Sequence, residues 1–219
     1  MEGAPFERAE DPQMIEVHHL NNSRSQRILW LLEELELDYE IVKYQRDAET
    51  NLAPESLREI HPLGKSPVVR EDGTILFESA AIIDHLVRRY GNGRLAPPES
   101  SREHVRYQQW LHYAEGSAML PLMLKLYLGR LGDAAGPLLP RVEDEIQNHM
   151  GYLDSQLADS DFFLGNDLTA ADVALSFPIQ ATRVLYGIDS FPNLAGFLER
   201  IVARPAYRRA IERGGPYVF

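Results

Sequence analysis

Residues that could take part in chemistry are concentrated near the start of the chain, in the stretch HHLNNSRS at positions 18–25. Its imidazole, amide and hydroxyl groups can donate hydrogen bonds, and Asn22, Ser23 or Ser25 could cap the helix predicted to follow. Histidine can also bind metals, but no partner ligands at metal-binding spacing accompany this pair. The chain contains no cysteine, which excludes disulfide bonds, thiolate metal sites and a cysteine nucleophile.

Two further stretches place polar residues at the ends of predicted strands. In HPLGKSPVV, residues 61–69, Pro67 precedes two valines, although proline has no N–H for a sheet hydrogen bond. In LFESAAIIDHL, residues 76–86, Glu78 and Ser79 lie where a predicted strand leads into a helix. The free N–H groups and the positive dipole end of a helix start favour bound anions. Ser79 could therefore serve there as a cap, as a ligand contact, or as both.

Alternating strand-like and helix-like segments connect these stretches over residues 14–91. Their order is strand, helix, strand, short helix, two strands and a helix. The first strand–helix–strand unit favours a parallel pair with a right-handed crossover. The segments PVVR and TILF flank EDG, which predicts a hairpin. We therefore predict an α/β domain with a thioredoxin-like fold, a mixed four-stranded sheet with helices on its faces.

The rest of the chain divides into a linker and an all-helical domain. Glycine, proline and serine crowd into residues 92–101, a composition typical of linkers. Every long segment after them has helical spacing, so residues 102–219 are predicted to form an all-helical domain. At the other end, residues 1–13 are polar and acidic, and we predict a disordered leader there.

Specific features predict the helices of the second domain. One long helix is expected over Glu103–Leu131, with a kink at Pro121 because proline removes a backbone hydrogen bond. Another helix is expected to start at or after Pro137. Thr169 and Asp172 have the spacing of a capping box, with aspartate in place of the usual glutamate or glutamine. We assign this pair to folding.

Composition excludes several classes of function. The 219 residues carry a net charge of −11, and lysine and arginine are dispersed along the chain. Because nucleic acids and anionic membranes require a basic surface, neither is an expected partner. No run of 18 apolar residues predicts a membrane span, and the first residues lack the apolar run of a signal peptide. These features, with the lack of cysteine, predict a cytoplasmic protein.

Four stretches together resemble the soluble glutathione S-transferase superfamily. They occur in the order found in that family, and they are SRSQRILWLLEEL, HPLGKSPVV, LFESAAIIDHL and LTAADVALS. The details are most similar to the serine-type branch of bacteria and fungi. The resemblance implies a thioredoxin-like domain followed by a helical domain, glutathione as co-substrate, no metal, and a homodimer.

The resemblance also implies which residues bind glutathione. The Ser66–Pro67 bond is expected to be cis, presenting the Ser66 backbone to the cysteinyl amide of glutathione like an added strand. Ser79 is expected to bind the γ-glutamyl carboxylate and Glu78 the γ-glutamyl ammonium. Lys65 could meet the glycyl carboxylate, although a solvated lysine is an equally good interpretation.

The thiolate of glutathione is expected at the start of the first helix. Lowering a thiol pKa from about 8.5 by roughly two units requires about 2.7 kcal/mol. A helix start contributes about 0.3–2 kcal/mol and a hydrogen bond to a charged group about 1.5–3 kcal/mol, so together they suffice. Ser23 is the first candidate donor because of its place in the serine-type pattern. Asn22, Asn21 and His18 are alternatives, and a plain helix cap is the simpler role for Ser23.

The second substrate is the least constrained part of the prediction. A small apolar electrophile is expected in a pocket beside the kinked helix, lined by Met119, Met123 and Tyr127, although methionines at helical spacing are more often core. In some family members an acidic residue of the partner subunit approaches the γ-glutamyl ammonium, and Glu115 is the candidate here. Besides conjugation, the site could reduce organic hydroperoxides. The alternatives are a non-catalytic interaction module and a disulfide reductase that uses glutathione as its only thiol.

Overall fold

A computed structural model describes residues 14–215, 217 and 218. The predicted leader therefore lies outside the described residues. The first domain contains four strands and two α-helices, with a short 3₁₀ helix at Glu55–Glu59. In chain order the elements are β1 (Ile15–Leu20), α1 (Ser25–Leu35), β2 (Tyr39–Tyr44), β3 (Val68–Glu71), β4 (Thr74–Phe77) and α2 (Ser79–Tyr90).

The four strands form one mixed sheet in the order β2–β1–β3–β4. β1 and β2 are parallel and joined through α1, whereas β3 pairs antiparallel with both β1 and β4. The turn between β3 and β4 uses Asp72 and Gly73, both with positive φ, as the twist of a two-residue hairpin requires. The predicted thioredoxin-like domain is confirmed in its strand order and pairing.

The second domain is helical throughout its regular elements. A loop after α2 ends at Ser101, whose side chain caps the next helix by accepting a hydrogen bond from the His104 N–H at 3.2 Å. The helices are α3 (Arg102–Tyr113), α4 (Met119–Leu128), α5 (Leu139–Gln156), α6 (Ala170–Leu185), α7 (Pro192–Ala203) and α8 (Pro205–Gly214).

The long helix expected in this domain is not a single α-helix. A π-helical turn, Ala114–Ala118, separates α3 from α4, and a 3₁₀ segment, Gly129–Ala135, follows α4. Pro121 lies three residues after the π turn and has no N–H to offer the carbonyl of Ser117. The wider turn absorbs this missing bond, so the irregularity precedes the proline instead of coinciding with it.

The capping box at the start of α6 is confirmed. The Asp172 carboxylate accepts hydrogen bonds from the Thr169 N–H and hydroxyl, both at 2.8 Å. It also accepts one from the Phe163 N–H at 2.9 Å, which ties the preceding loop to the helix. Since Asp172 is fully buried, these donors replace the water that would otherwise solvate its carboxylate.

α1 is the element through which the two domains pack together. Its residues are buried on nearly all sides, including the fully buried Trp30, because α2, α6 and α8 surround it. At its end Glu33 accepts hydrogen bonds from Arg209 and Arg213 of α8. α1 is thereby fixed against the second domain at its end as well as along its length. No helix among the described residues is long and apolar enough to cross a membrane.

Candidate active site

A cavity of about 240 Å³ lies where the first domain meets the π-helical turn. Its lining contains five of the residues that the sequence singled out on the first domain, and Glu115 reaches it from the second, whereas Asn22, Ser23 and His18 do not line it. The predicted residues that line it are Lys65, Ser66, Pro67, Glu78, Ser79 and Glu115. Larger cavities of about 730 and 740 Å³ lie over α3 and α5 and beside the interdomain loop. We identify the smaller cavity as the site because it gathers the convergent polar groups.

Ser66 and Pro67 form one wall of this cavity. The peptide bond between them is cis, as expected. The Ser66 hydroxyl donates to the His18 carbonyl at 2.8 Å and accepts from the Leu20 N–H at 3.3 Å. The side chain is thus tied to the end of β1, so the Ser66 backbone is fixed at the edge of the cavity.

Glu78 and Ser79 form the opposite wall at the start of α2. Glu78 has a φ of 65°, in the left-handed region that residues other than glycine adopt only at a cost. This conformation turns the chain sharply into α2. Ser79 is buried, and its hydroxyl accepts a hydrogen bond from Arg27 at 2.5 Å. Its own hydroxyl proton is then available to a carboxylate at the helix start.

Arg24, which directly precedes α1, Arg27 within α1 and the glutamate of the π turn join the domains beneath the cavity. Glu115 is paired with Arg27 and, at 2.8 Å, with Arg24. Arg27 also donates to the carbonyl of Ala174 in α6 at 2.5 Å. Burial alone would raise the pKa of Glu115, but the two guanidinium groups outweigh it and hold the pKa below its ordinary value. Glu115 therefore acts within its own subunit's cavity as an ionised carboxylate.

Arg24 and Arg27 were not among the predicted site residues. Their position was a signal that the sequence-based prediction missed. Cations at the start of a helix are unfavourable, because they lie next to the positive end of the helix dipole. Two arginines there require an acid from elsewhere in the fold, and the sequence does not reveal that Glu115 supplies it. His61, Leu63 and Phe77 also line the cavity and were missed, and nothing in their residue types distinguishes them.

Ser23, the first candidate for the thiolate donor, is turned into the protein. Its hydroxyl lies 2.7 Å from the Leu20 carbonyl and 2.8 Å from the Ser25 hydroxyl. It also accepts from the Ser25 N–H at 3.3 Å, but the N-cap position of α1 is occupied by Arg24 and not by Ser23. The Ser25 hydroxyl continues this chain to His19 Nδ1 at 2.8 Å. The hydroxyl proton of Ser23 is thus used inside the protein.

Asn22 lies at the turn between β1 and α1 with a φ of 47°. Asparagine tolerates this left-handed conformation better than most residues. Its backbone carbonyl accepts from Arg46 at 3.2 Å, and its side-chain oxygen accepts from the Val218 N–H at 3.1 Å. The neighbouring Asn21 has its side-chain oxygen bound by the Arg46 N–H at 2.8 Å. Because the Val218 N–H can bond only to the amide oxygen, the NH₂ group of Asn22 is turned away from Val218.

His18 lies on β1 outside the lining of the cavity. Its ring contacts the Tyr44 hydroxyl at 2.9 Å and lies 2.9 Å from a Glu16 carboxylate oxygen. Burial lowers its pKa and outweighs the opposing effect of Glu16. The structure therefore gives His18 a packing role against β2 and does not bring it together with the other predicted site residues.

The residues expected to form an apolar pocket are not gathered into one. Met119 is buried in the core, Met123 packs against that core, and Tyr127 is 56% exposed. None of the three lines the candidate site. The reason is the π turn, which rotates α4 relative to α3 and so changes which side chains face the site. Among the described residues, no three His, Asp or Glu side chains group as metal ligands.

The geometry defines a class of protein and a class of ligand. A thioredoxin-like domain with a cis-proline loop meets an all-helical domain at a cavity with paired positive and negative groups. The cavity offers a serine hydroxyl and a helix start for a carboxylate, and Glu78 and Glu115 for an ammonium. It is therefore suited to the zwitterionic end of an amino acid or peptide.

Comparison with known proteins identifies the family. Residues 12–88 match the model of the glutathione S-transferase N-terminal domain, and residues 136–200 match that of the C-terminal domain. Glutathione S-transferase 3 of Schizosaccharomyces pombe is 36% identical over 91% of this chain and 88% of its own. A glutathione S-transferase structure from Actinobacillus pleuropneumoniae superposes with a TM-score of 0.87, at 35% identity over 94% of both chains. The chain belongs to the glutathione S-transferase family.

One further relative carries a different name. Disulfide-bond oxidoreductase YfcG of Escherichia coli is 29% identical over 90% of this chain and 94% of its own length. Chains similar to this one are thus named for transferase and for disulfide chemistry.

Proposed function

We propose that this enzyme binds glutathione in the cavity between Ser66 and Ser79 and stabilises its thiolate at the start of α1. The observation that carries the proposal is the convergence in one cavity of residues far apart in the sequence. These are Lys65, Ser66, Pro67, Glu78, Ser79 and Glu115. The reaction we propose is conjugation, in which the thiolate forms a bond to an electrophilic carbon and a leaving group departs with the electron pair.

The γ-glutamyl end of glutathione fits the charged wall of the site. The Ser79 hydroxyl already accepts from Arg27, so its proton can be donated to the γ-glutamyl carboxylate. Glu78 and Glu115 offer carboxylates to the γ-glutamyl ammonium. The Ser66 backbone, fixed by its side chain at the end of β1, is the proposed partner of the cysteinyl amide.

For the thiolate donor, we favour Asn22 over Ser23. Ser23 would have to give up its contact with the Leu20 carbonyl to donate to sulfur. The Asn22 NH₂ group has no such contact with another described residue. An amide hydrogen bond to a charged acceptor contributes about 1.5–3 kcal/mol, enough to lower a thiol pKa by about one to two units.

Two experiments test this function. Isothermal titration with glutathione should show binding by the wild type and at least tenfold weaker binding by Ser79→Ala, with Ser56→Ala, an exposed serine, as the control. The pH profile of conjugation should then shift to higher pH in Asn22→Ala and stay near the wild type in Ser23→Ala. A protein that does not bind glutathione at all would instead support the non-catalytic interaction module.

A second candidate activity is reduction of a disulfide by glutathione. The similarity to YfcG favours it. The glutathione thiolate would attack one sulfur of an external disulfide and release the other as a thiolate. A second glutathione would complete the exchange, since the chain has no cysteine. Parallel assays with an aryl halide, an organic hydroperoxide and a small disulfide decide which reaction dominates.

The homodimer also belongs to the proposal. Family membership supports it, as does the exposed apolar surface of α3, where Val105 is 60% exposed. Sedimentation equilibrium should give twice the chain mass of 24.9 kDa. A monomer at assay concentration would show that Glu115, which reaches the cavity of its own subunit, completes the site without a partner.

A further inference from the structure

The segment that follows α8 crosses the start of α1. α8 ends at Gly214, which lies so close to α1 that an added Cβ would be 2.7 Å from the Gln26 side-chain oxygen and from Leu29 Cδ1. Beyond it, Tyr217 packs against the core within electrostatic reach of Arg24 and Arg27. The path of this segment is thus set at its start by a close approach, at which a Cβ would require the ends of the Gln26 and Leu29 side chains to move.

The same segment contacts Asn22 just before the start of α1. The Val218 N–H donates to the side-chain oxygen of Asn22 at 3.1 Å. A backbone N–H can bond only to the oxygen of an amide, so this contact determines which way the amide points. The Asn22 NH₂ group must then face away from Val218. The backbone of the same residue is held by Arg46, whose guanidinium donates to the Asn22 carbonyl at 3.2 Å.

We infer that Val218 is a positioning residue, whose backbone N–H holds the Asn22 amide with its NH₂ group toward the glutathione sulfur. This inference rests on the proposed function and adds to it a part for the segment after α8. The side chain of Val218 is 67% exposed, so its contribution lies in the backbone contact. No other described residue fixes the orientation of the Asn22 amide.

The chemical consequence concerns the energy of the thiolate. An amide presents either two donor hydrogens or an acceptor oxygen, depending on a half turn of its last torsion. With the oxygen toward the sulfur, the same side chain would repel the thiolate that it otherwise stabilises. Fixing the orientation before glutathione binds removes this unfavourable state, in the same way that any preorganised donor strengthens an anion site.

The test compares two substitutions at one position. Val218→Pro removes the N–H, whereas Val218→Ala keeps it and changes only the exposed side chain. We expect Val218→Pro to raise the pKa of bound glutathione by about 0.3 to 1 unit, read from thiolate absorbance against pH, and to lower kcat about two- to tenfold. The affinity for glutathione should change little. Val218→Ala, made in the wild-type chain, should keep the wild-type thiol pKa.

A double-mutant cycle decides whether Val218 acts through Asn22. In an Asn22→Ala background, Val218→Pro should have no further effect on the thiol pKa or on kcat, because the group it positions is absent. Equal effects in both backgrounds would overturn the inference. An unchanged thiol pKa with a lower KM for the second substrate would also overturn it, and would identify the segment as a cover over the site.

The failure of this inference differs from failure of the proposed function. If the wild type binds glutathione and lowers its thiol pKa, and Val218→Pro lowers that pKa by the same amount, only the positioning role is wrong. If the wild type neither binds glutathione nor lowers its pKa, both proposals fall together.

Discussion

Glu115→Gln is the substitution that tests most directly how the site is held together. The change keeps the shape of the side chain and removes the negative charge that faces Arg24 and Arg27. The Arg27 side chain is only 2% exposed, so its charge has little access to water. Breaking a buried ion pair costs about 3–5 kcal/mol. Glu115 is 27% exposed and Arg27 keeps its bonds to Ser79 and Ala174, so we expect a loss of about 2–3 kcal/mol.

This loss is large enough to measure by thermal and chemical denaturation. For a chain of this size it corresponds to a fall in Tm of about 4–12 °C. Glu40→Gln, at an exposed position on β2, is the matched control and should shift Tm by less than about 2 °C. The affinity for glutathione should fall as well, because Glu115 is a proposed partner of the ammonium.

The pH dependence supplies an independent check. Because the pKa of Glu115 is lowered in the folded protein, its contribution to stability is present above the ordinary pKa of 4.5 and is lost as pH falls below it. The difference in unfolding free energy between wild type and Glu115→Gln should therefore shrink below pH 4.5. A Glu115→Gln variant as stable as the wild type at pH 7 would refute the argument that Arg27 depends on this carboxylate.

Three further predictions concern the support of the site. Asp172→Ala should cost about 2–4 kcal/mol in denaturant melts, since the Phe163 N–H loses its buried acceptor; Asp172→Asn, which keeps one oxygen, should cost less. Burial lowers the pKa of His19 to about 4. The unfolded chain therefore binds a proton at a higher pH than the folded protein does, and stability falls as pH drops from 6.5 toward 4. That contribution, about 3 kcal/mol, should be missing from a His19→Gln pH series. Gly214→Ala should cost about 1–3 kcal/mol in thermal melts, because its Cβ would collide with Leu29; an unaltered Tm would show that α8 can shift.

The parts of the site that the sequence predicted are those set by local rules. Strand and helix periodicity placed Ser66 just before β3 and Ser79 at the start of α2, and the strand order then brought both to one cavity. The capping box of Thr169 and Asp172 is a local pattern of the same kind. Such features depend on residues within a few positions of each other, so a single sequence contains the information.

The parts that were missed depend on distant contacts. Arg24 and Glu115 are 91 positions apart, and the π turn that turns Glu115 toward α1 has no simple sequence signature. That same turn determines that Met119 faces the core. Ser23 was a reasonable candidate by residue type, but the competition between an inward hydrogen bond and an outward one is decided by packing.

The position of Arg27 also affects how the two domains unfold and whether one of them can be exchanged for that of a relative. The Arg27 guanidinium belongs to the first domain, yet it is bonded to a carbonyl of α6 and paired with an acid of the second domain. Separating the halves would remove these partners and expose the apolar residues of α1 that pack against α6 and α8, so we expect both halves to melt in one cooperative step. A helical domain transplanted from a relative would therefore have to carry its own carboxylate to this position for the hybrid to match the stability of the parent chain.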